Sequence, residues 1–142
     1  MTDYPTPATP ASMPAVPYTD WLHRAGGFLI DYVPILVLVI IAIVVNSVIL
    51  SLFLDLIAIA VWGYNRWYTA GPTGQSWGKK ALGLRLVSEE TGQPIGIAMS
   101  FVRDICHFLD SVICYIGWLF PLWDSKRQTL ADKIIRTVVI PA

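Results

Sequence analysis

The chain has 142 residues, 55% of them hydrophobic and 14% charged, and its ten basic side chains balance ten acidic ones. That length suits one domain, and the apolar bias selects the membrane class. The missing basic surplus removes the electrostatic footprint that a nucleic-acid partner needs.

Residues 1–17, MTDYPTPATPASMPAVP, place Pro5, Pro7, Pro10, Pro14 and Pro17 among small polar residues. Such a run neither forms a helix nor buries a core, so a flexible tail is expected, with a proline-rich ligand for a partner as the alternative. It lacks a basic stretch leading into a short apolar one and a cleavage site, and no cleaved signal peptide is expected.

Between Arg24 and Arg66 there is no basic residue, and apart from Asp31 and Asp55 the stretch is almost wholly apolar. One crossing of a ~30 Å hydrocarbon core takes ~20 helical residues, so Ala25–Tyr68 holds about two. A single span over Tyr32–Leu54 would strand Leu56–Tyr68, which is too short to cross. Two spans, roughly Ala25–Val45 and Val48–Tyr68 with a turn at Asn46-Ser47, leave no orphan. They also bring Trp21, Trp62, Tyr64, Trp67 and Tyr68 to one interface, as an aromatic belt requires. Arg24 precedes the pair, Arg66, Lys79, Lys80 and Arg85 follow it, and the turn has no basic residue. The positive-inside rule then puts both ends of the hairpin, and the N-terminus, on the cytoplasmic side.

The stretch Gly71–Lys80, GPTGQSWGKK, invites a phosphate-loop reading that its spacing refutes. Three residues separate Gly74 from Gly78 where four are needed, and Lys80 stands where Ser or Thr should bind magnesium. A turn and a short interfacial helix, with Lys79 and Lys80 facing anionic lipid headgroups, is the simpler expectation. Beyond it, Leu84–Val87, a polar turn and Pro94–Ile97 suggest a β-hairpin. Thr137–Ile140 offers a further partner for Leu84–Val87, provided both lie on one side of the membrane.

Ile97–Trp123 is long enough to cross but carries Arg103, Asp104, His107, Asp110, Ser111 and Cys114, whose spacing confines them to one helical face. Lys126, Arg127, Lys133 and Arg136 follow, which argues that the chain returns to the cytoplasmic side. The segment is therefore read as an amphipathic or re-entrant helix broken near Gly117 or Pro121, with a third full span as the alternative. Cys106 and Cys114 would lie ~12 Å apart along that helix, too far for a disulfide, and are expected as reduced, buried thiols.

Arg24 and Asp31, seven apart, share one face of the first span, either as a functional pair or as an ion pair that fixes helix packing. Asp55 has no basic residue in reach by sequence and is a weaker candidate for ion handling. His107 and Asp110 lie near two cysteines, yet no clustered metal-ligand pattern such as CxxC or HExxH occurs. No nucleophile–base constellation is apparent with only His23 and His107 in the chain. Neither an enzyme nor a cofactor is expected.

Four blocks, in order, resemble the RDD family of small bacterial membrane proteins: Arg24–Asp31 (RAGGFLID), Thr73–Val87 (TGQSWGKKALGLRLV), Phe101–Asp104 (FVRD) and Arg127–Lys133 (RQTLADK). The resemblance covers Tyr18 to Ile140 and implies a multi-span inner-membrane protein. It adds Asp132 to a candidate charge network of Arg24, Asp31, Arg103 and Asp104. Ala131 departs from the histidine that the family pattern leads one to expect there, and Asp55 matches none of its named residues. The family's suggested activity is transport of unidentified ligands.

The fold expected is an all-α membrane protein with an N-terminal transmembrane hairpin, a short cytoplasmic β element and an amphipathic or re-entrant third helix. An accessory or scaffold role is the leading expectation, with lipid, other membrane proteins or further copies of the chain as partners. An oligomeric transporter of a cation, proton or small solute using Asp31 is the alternative.

Overall fold

The computed structural model describes residues 17–142, and the proline-rich tail expected over 1–17 lies, Pro17 excepted, outside the described residues. Helix α1 runs Trp21–Val45, opened by Asp20, whose side chain accepts a hydrogen bond from the His23 N–H. It closes at Asn46, which takes the left-handed conformation (φ 52°) that ends a helix cleanly. Helix α2, Val48–Gly63, returns antiparallel and continues through a π-helical segment, Tyr64–Thr69, into α3, Ala70–Thr73. The runs Trp21–Val45 and Val48–Thr73 are each long and apolar enough to cross a membrane. Ile49 and Val44 are 84% and 75% exposed, a surface suited to lipid rather than water. Between the two helices the buried side chains include Ala42 and Ala58, small residues that let the backbones approach. The turn expected at Asn46-Ser47 is in place.

The π-helical segment underwinds and widens the end of the second run, the Ala70 N–H reaching the Asn65 carbonyl, and it turns both Asn65 and Arg66 inward. After Gly74 the chain forms α4, Trp77–Ala81, capped by Ser76. This short helix packs against α1 so closely that a Cβ at Gly78 would stand 1.8 Å from the Gly27 carbonyl oxygen. Only glycine permits that approach.

Strand β1, Leu84–Ser88, pairs antiparallel with β2, Thr137–Pro141, with Leu86 opposite Val139. Leu84, Leu86 and Val139 form a small apolar core between them, and the Thr19 N–H extends the sheet by donating to the Val139 carbonyl (2.9 Å). The second strand expected over Pro94–Ile97 does not form. The turn closes through Ser88 N–H to the Gln93 carbonyl, and a helix begins at Gly96. Pro94 brings no N–H to a ladder, whereas Thr137-Val138-Val139-Ile140 is β-branched throughout and buries its first three side chains.

Helix α5, Gly96–Val112, is followed by α6, Ile116–Leu119, and a 3-10 turn, Phe120–Leu122, after a bend of 107°. The break lies at Cys114 and Tyr115, both left-handed (φ 51° and 62°), earlier than Gly117 or Pro121. Gly117 serves the return instead: a Cβ there would be 2.2 Å from Asp110 Oδ1. Glu89, in the turn that leads from β1 to α5, bonds to Lys126 and Gln128, which follow the bent segment, so both ends meet on one side. This matches the re-entrant expectation and not a straight third span. Cys106 is half-buried and Cys114 exposed, both free, which corrects the expectation of two buried thiols. Finally α7, Leu130–Ile135, carries a capping box in which Thr129 and Asp132 satisfy each other's backbone N–H groups.

Candidate functional site

Helix α5 wears its amphipathicity inside out for a membrane: Ser100, Arg103, His107 and Asp110 are buried, while Ile105, Phe108 and Val112 are exposed. Its polar face meets the basic end of the hairpin and α7, and there two buried carboxylates act as hubs.

Asp31, 2% exposed, is the first. Its Oδ1 accepts from Asn65 Nδ2 (2.7 Å) and the Gly78 N–H (2.7 Å), and its Oδ2 from the Ser76 hydroxyl (2.6 Å). The Arg66 guanidinium stands 3.9 Å away. Asn65 Oδ1 in turn accepts the Trp77 N–H (2.8 Å), so the loop after the second span is moulded around one carboxylate. A carboxylate with three donors and a nearby cation tolerates burial.

Asp132, fully buried, is the second hub. Arg103 Nε (2.8 Å) and the Thr137 hydroxyl (3.1 Å) donate to Oδ1, and Arg24 and the Thr129 N–H (3.2 Å) to Oδ2. Burial alone would raise this carboxyl, but Arg103 and Arg24 outweigh it and hold it well below the usual carboxylate range. Arg24 also donates to the Arg127 carbonyl (2.5 Å). Asp104 joins the halves: it accepts two bonds from Arg66 Nε and one from Nη2 (2.5 Å), plus one from the Trp67 indole (2.9 Å). The Arg66 guanidinium lies 4.7 Å over the Trp62 ring, a cation–π contact that shields it from lipid.

Arg24, Asp31, Arg103, Asp104 and Asp132 therefore do converge on one region, but the pairing expected between Arg24 and Asp31 is not made. Two helical turns separate them by ~10 Å, and each finds a nearer partner from a later segment. Lys79, expected at headgroups on the outer surface, is turned inward; its ammonium lies 3.4 Å from Ser76 Oγ. Burial, then the neighbouring Arg66 and Arg103, push it down to about 7. Lys80 is exposed, as a headgroup contact requires, and Asp55 is exposed on α2 with no ion-pair partner among the described residues.

Asn65, Arg66 and Ser76 were not among the candidates. Arg66 reads in sequence as a topology marker, and only the Asn65-Arg66 pair at the close of an apolar run hints at an inward role. His107 stacks on Trp118 (4.3 Å between ring centres), and its Nδ1 pairs with Asp110 (2.6 Å). Asp110 also accepts the Ala131 N–H (3.2 Å), and Ala131 is wholly buried. Among the described residues no group of three His, Cys, Asp or Glu side chains is placed to hold a metal ion. Beside the network opens a cavity of about 330 Å³, with Arg24, Arg66, Lys79 and Arg103 on its walls and, among the described residues, no carboxylate lining it.

Residues 18–136 match the RDD family, a match that covers both hubs and the loop between them. The chain belongs to the RDD family. It is 41% identical to the proline-rich antigen homolog of Mycobacterium tuberculosis (strain ATCC 25618 / H37Rv), over 92% of this chain and 66% of that protein. The proline-rich antigen of Mycobacterium leprae (strain TN) is 40% identical over 92% of this chain and 64% of its own length. The protein YxaI of Bacillus subtilis (strain 168) is 32% identical over 64% of this chain and 58% of its own. The chain thus spans about two thirds of the length of its mycobacterial relatives. No solved structure matches it. Within this RDD chain, the Arg24–Asp31 block supplies one member to each hub, Phe101–Asp104 supplies Arg103 and Asp104, and Arg127–Lys133 supplies Asp132 and its cap.

Proposed function

We propose that this RDD protein is an accessory component of the bacterial inner membrane, with both ends of the hairpin on the cytoplasmic side. It acts by packing its exposed helical faces against other membrane proteins or further copies of itself, and performs no catalytic step. One observation carries the reading: Asp31, buried within the apolar stretch, is sealed by Asn65, Ser76, Gly78 and Arg66 and does not line the cavity. A carrier of cations needs its carboxylate to meet water and release its ligand; this one is committed to fixed donors. The basic residues gathered at one end of the hairpin support the orientation.

A second reading, an oligomeric transporter of a cation, proton or small solute, is favoured by Asp55, exposed and unpaired among the described residues. Flux across proteoliposomes separates the two. Wild-type protein should move neither cation nor proton, and Asp31→Asn should lower thermal stability in detergent. Wild-type flux that Asp31→Asn abolishes in a folded, inserted protein would overturn the accessory reading.

A further inference from the structure

The cavity beside the network combines features that its neutralised surroundings do not explain. Each arginine on its wall has a carboxylate: Arg24 and Arg103 share Asp132, and Arg66 holds Asp104. Lys79 has none within ion-pair distance among the described residues, and its nearest polar contact is Ser76 Oγ at 3.4 Å. The lining is otherwise largely aromatic and aliphatic, and includes Phe28, Leu29 and Trp118. Leu29 is 62% exposed on the outer side of α1, so an apolar chain can leave the cavity along the lipid-facing surface. A volume of about 330 Å³ lies at the low end of ligand pockets (~300–1,000 Å³). It is too small for a whole phospholipid and suits a headgroup with the first part of one chain.

We infer that this cavity is a binding site for one anionic phospholipid, its phosphodiester set against Lys79 within the ring of arginines and an acyl chain leaving past Phe28 and Leu29. Cationic walls with no acid facing inward select a negative headgroup over a zwitterionic one. The apolar wall selects an amphiphile over a free anion. The site needs only the basic end of the hairpin to lie at the membrane interface, and it holds whether the chain is an accessory protein or a transporter.

A pH signature accompanies it. Burial, Arg66, Arg103 and Arg24 lower Lys79 to about 7, Asp31 acts the other way, and His107 lines the same cavity. The charged fraction of such a lysine falls about tenfold between pH 6 and pH 8, while a phosphodiester keeps its charge throughout. Affinity should therefore decline by up to about tenfold over that range.

The test uses the full chain in non-ionic detergent, read by native mass spectrometry and thermal unfolding. Dioleoyl phosphatidylglycerol should be retained and should raise the melting temperature, whereas dioleoyl phosphatidylcholine and inorganic phosphate should do neither. Lys79→Gln should weaken retention by at least about tenfold and flatten the pH dependence. Leu29→Trp, which narrows the exit without touching a charge, should weaken it too and decides the matter if Lys79→Gln fails to fold. Equal retention of the two lipids, phosphate binding as well as the lipid, or affinity unchanged in the folded variants would each overturn the site. None of those results bears on flux, so the accessory reading stands or falls separately.

Discussion

Asp132→Asn isolates what the second hub contributes. The asparagine is nearly isosteric but keeps one acceptor oxygen: placed where Oδ2 stands, it still accepts the Thr129 N–H and preserves the cap, and its amide NH2 then faces the Thr137 hydroxyl, which can accept in place of donating. What is lost is the charge facing Arg24 and Arg103, whose side chains are only 10% and 7% exposed. Removing one partner of a buried ion pair costs ~3–5 kcal/mol, because the other charge stays buried without compensation. Here two cations are left, and Asp132→Ala should lose about 1 kcal/mol more through the cap. Because the folded carboxyl lies below its unfolded value, its stabilisation is present above about pH 4 and fades as pH falls through that value and below it. The variant should lack this acid-side loss. Unfolding equilibria in mixed micelles between pH 3 and pH 7 measure both effects. An Asp132→Asn protein within about 1 kcal/mol of the parent, with an unchanged acid limb, would refute the hub.

Two glycines that face each other should respond unequally. Gly78→Ala puts a Cβ 1.8 Å from the Gly27 carbonyl oxygen and should abolish the stable fold, while Gly27→Ala meets only ordinary contacts at 3.5 Å and should be tolerated; thermal melts of the pair decide it. Asp55→Leu should raise stability in micelles by about 1–3 kcal/mol and leave the oligomeric state unchanged if the carboxylate faces lipid. Dissociation of an oligomer on that substitution, seen by light scattering, would instead favour the transporter.

The hairpin was legible because its signals are one-dimensional: length without basic residues, a polar pair at the turn, and aromatic and basic residues at one end. The return of the third segment was legible for a related reason, since charge after it had to lie on the same side as charge before it. The position of the bend was not. Cys114 and Tyr115 carry no turn signature, and the left-handed conformations they adopt accompany the close packing of Gly117 against Asp110. The strand pairing was half legible: Thr137–Ile140 announced itself by β-branching, but Pro94–Ile97 was a nearer and weaker competitor. In the network, sequence reasoning found five members and paired two of them wrongly. Helical spacing says which side chains share a face, and a seven-residue spacing brings none of them into contact. Lys79 was placed outside for a similar reason, as the inward turn of α4 depends on the Gly27–Gly78 approach that spacing cannot reveal.

Arg24 and Asp31 choosing different partners explains how so short a chain coheres. Had they paired with each other, the charges of α1 would have been settled within α1, leaving the later segments to dock by apolar contacts alone. In a membrane those contacts are weak discriminators, because lipid competes for the same surface. Instead Asp31 holds the π-helical segment and the α4 loop, Arg24 holds α7, and Arg66 ties the second span to α5. Each link is directional and fixes one segment in one place. Charge is thereby spent at the basic end of the hairpin, and beyond His23 in the first turn of α1 the described outer faces of α1 and α2 are left largely apolar but for Asp55 and the polar turn. A partner approaching those faces within the bilayer must be recognised by shape, by lipid held at the cavity mouth, or by Asp55.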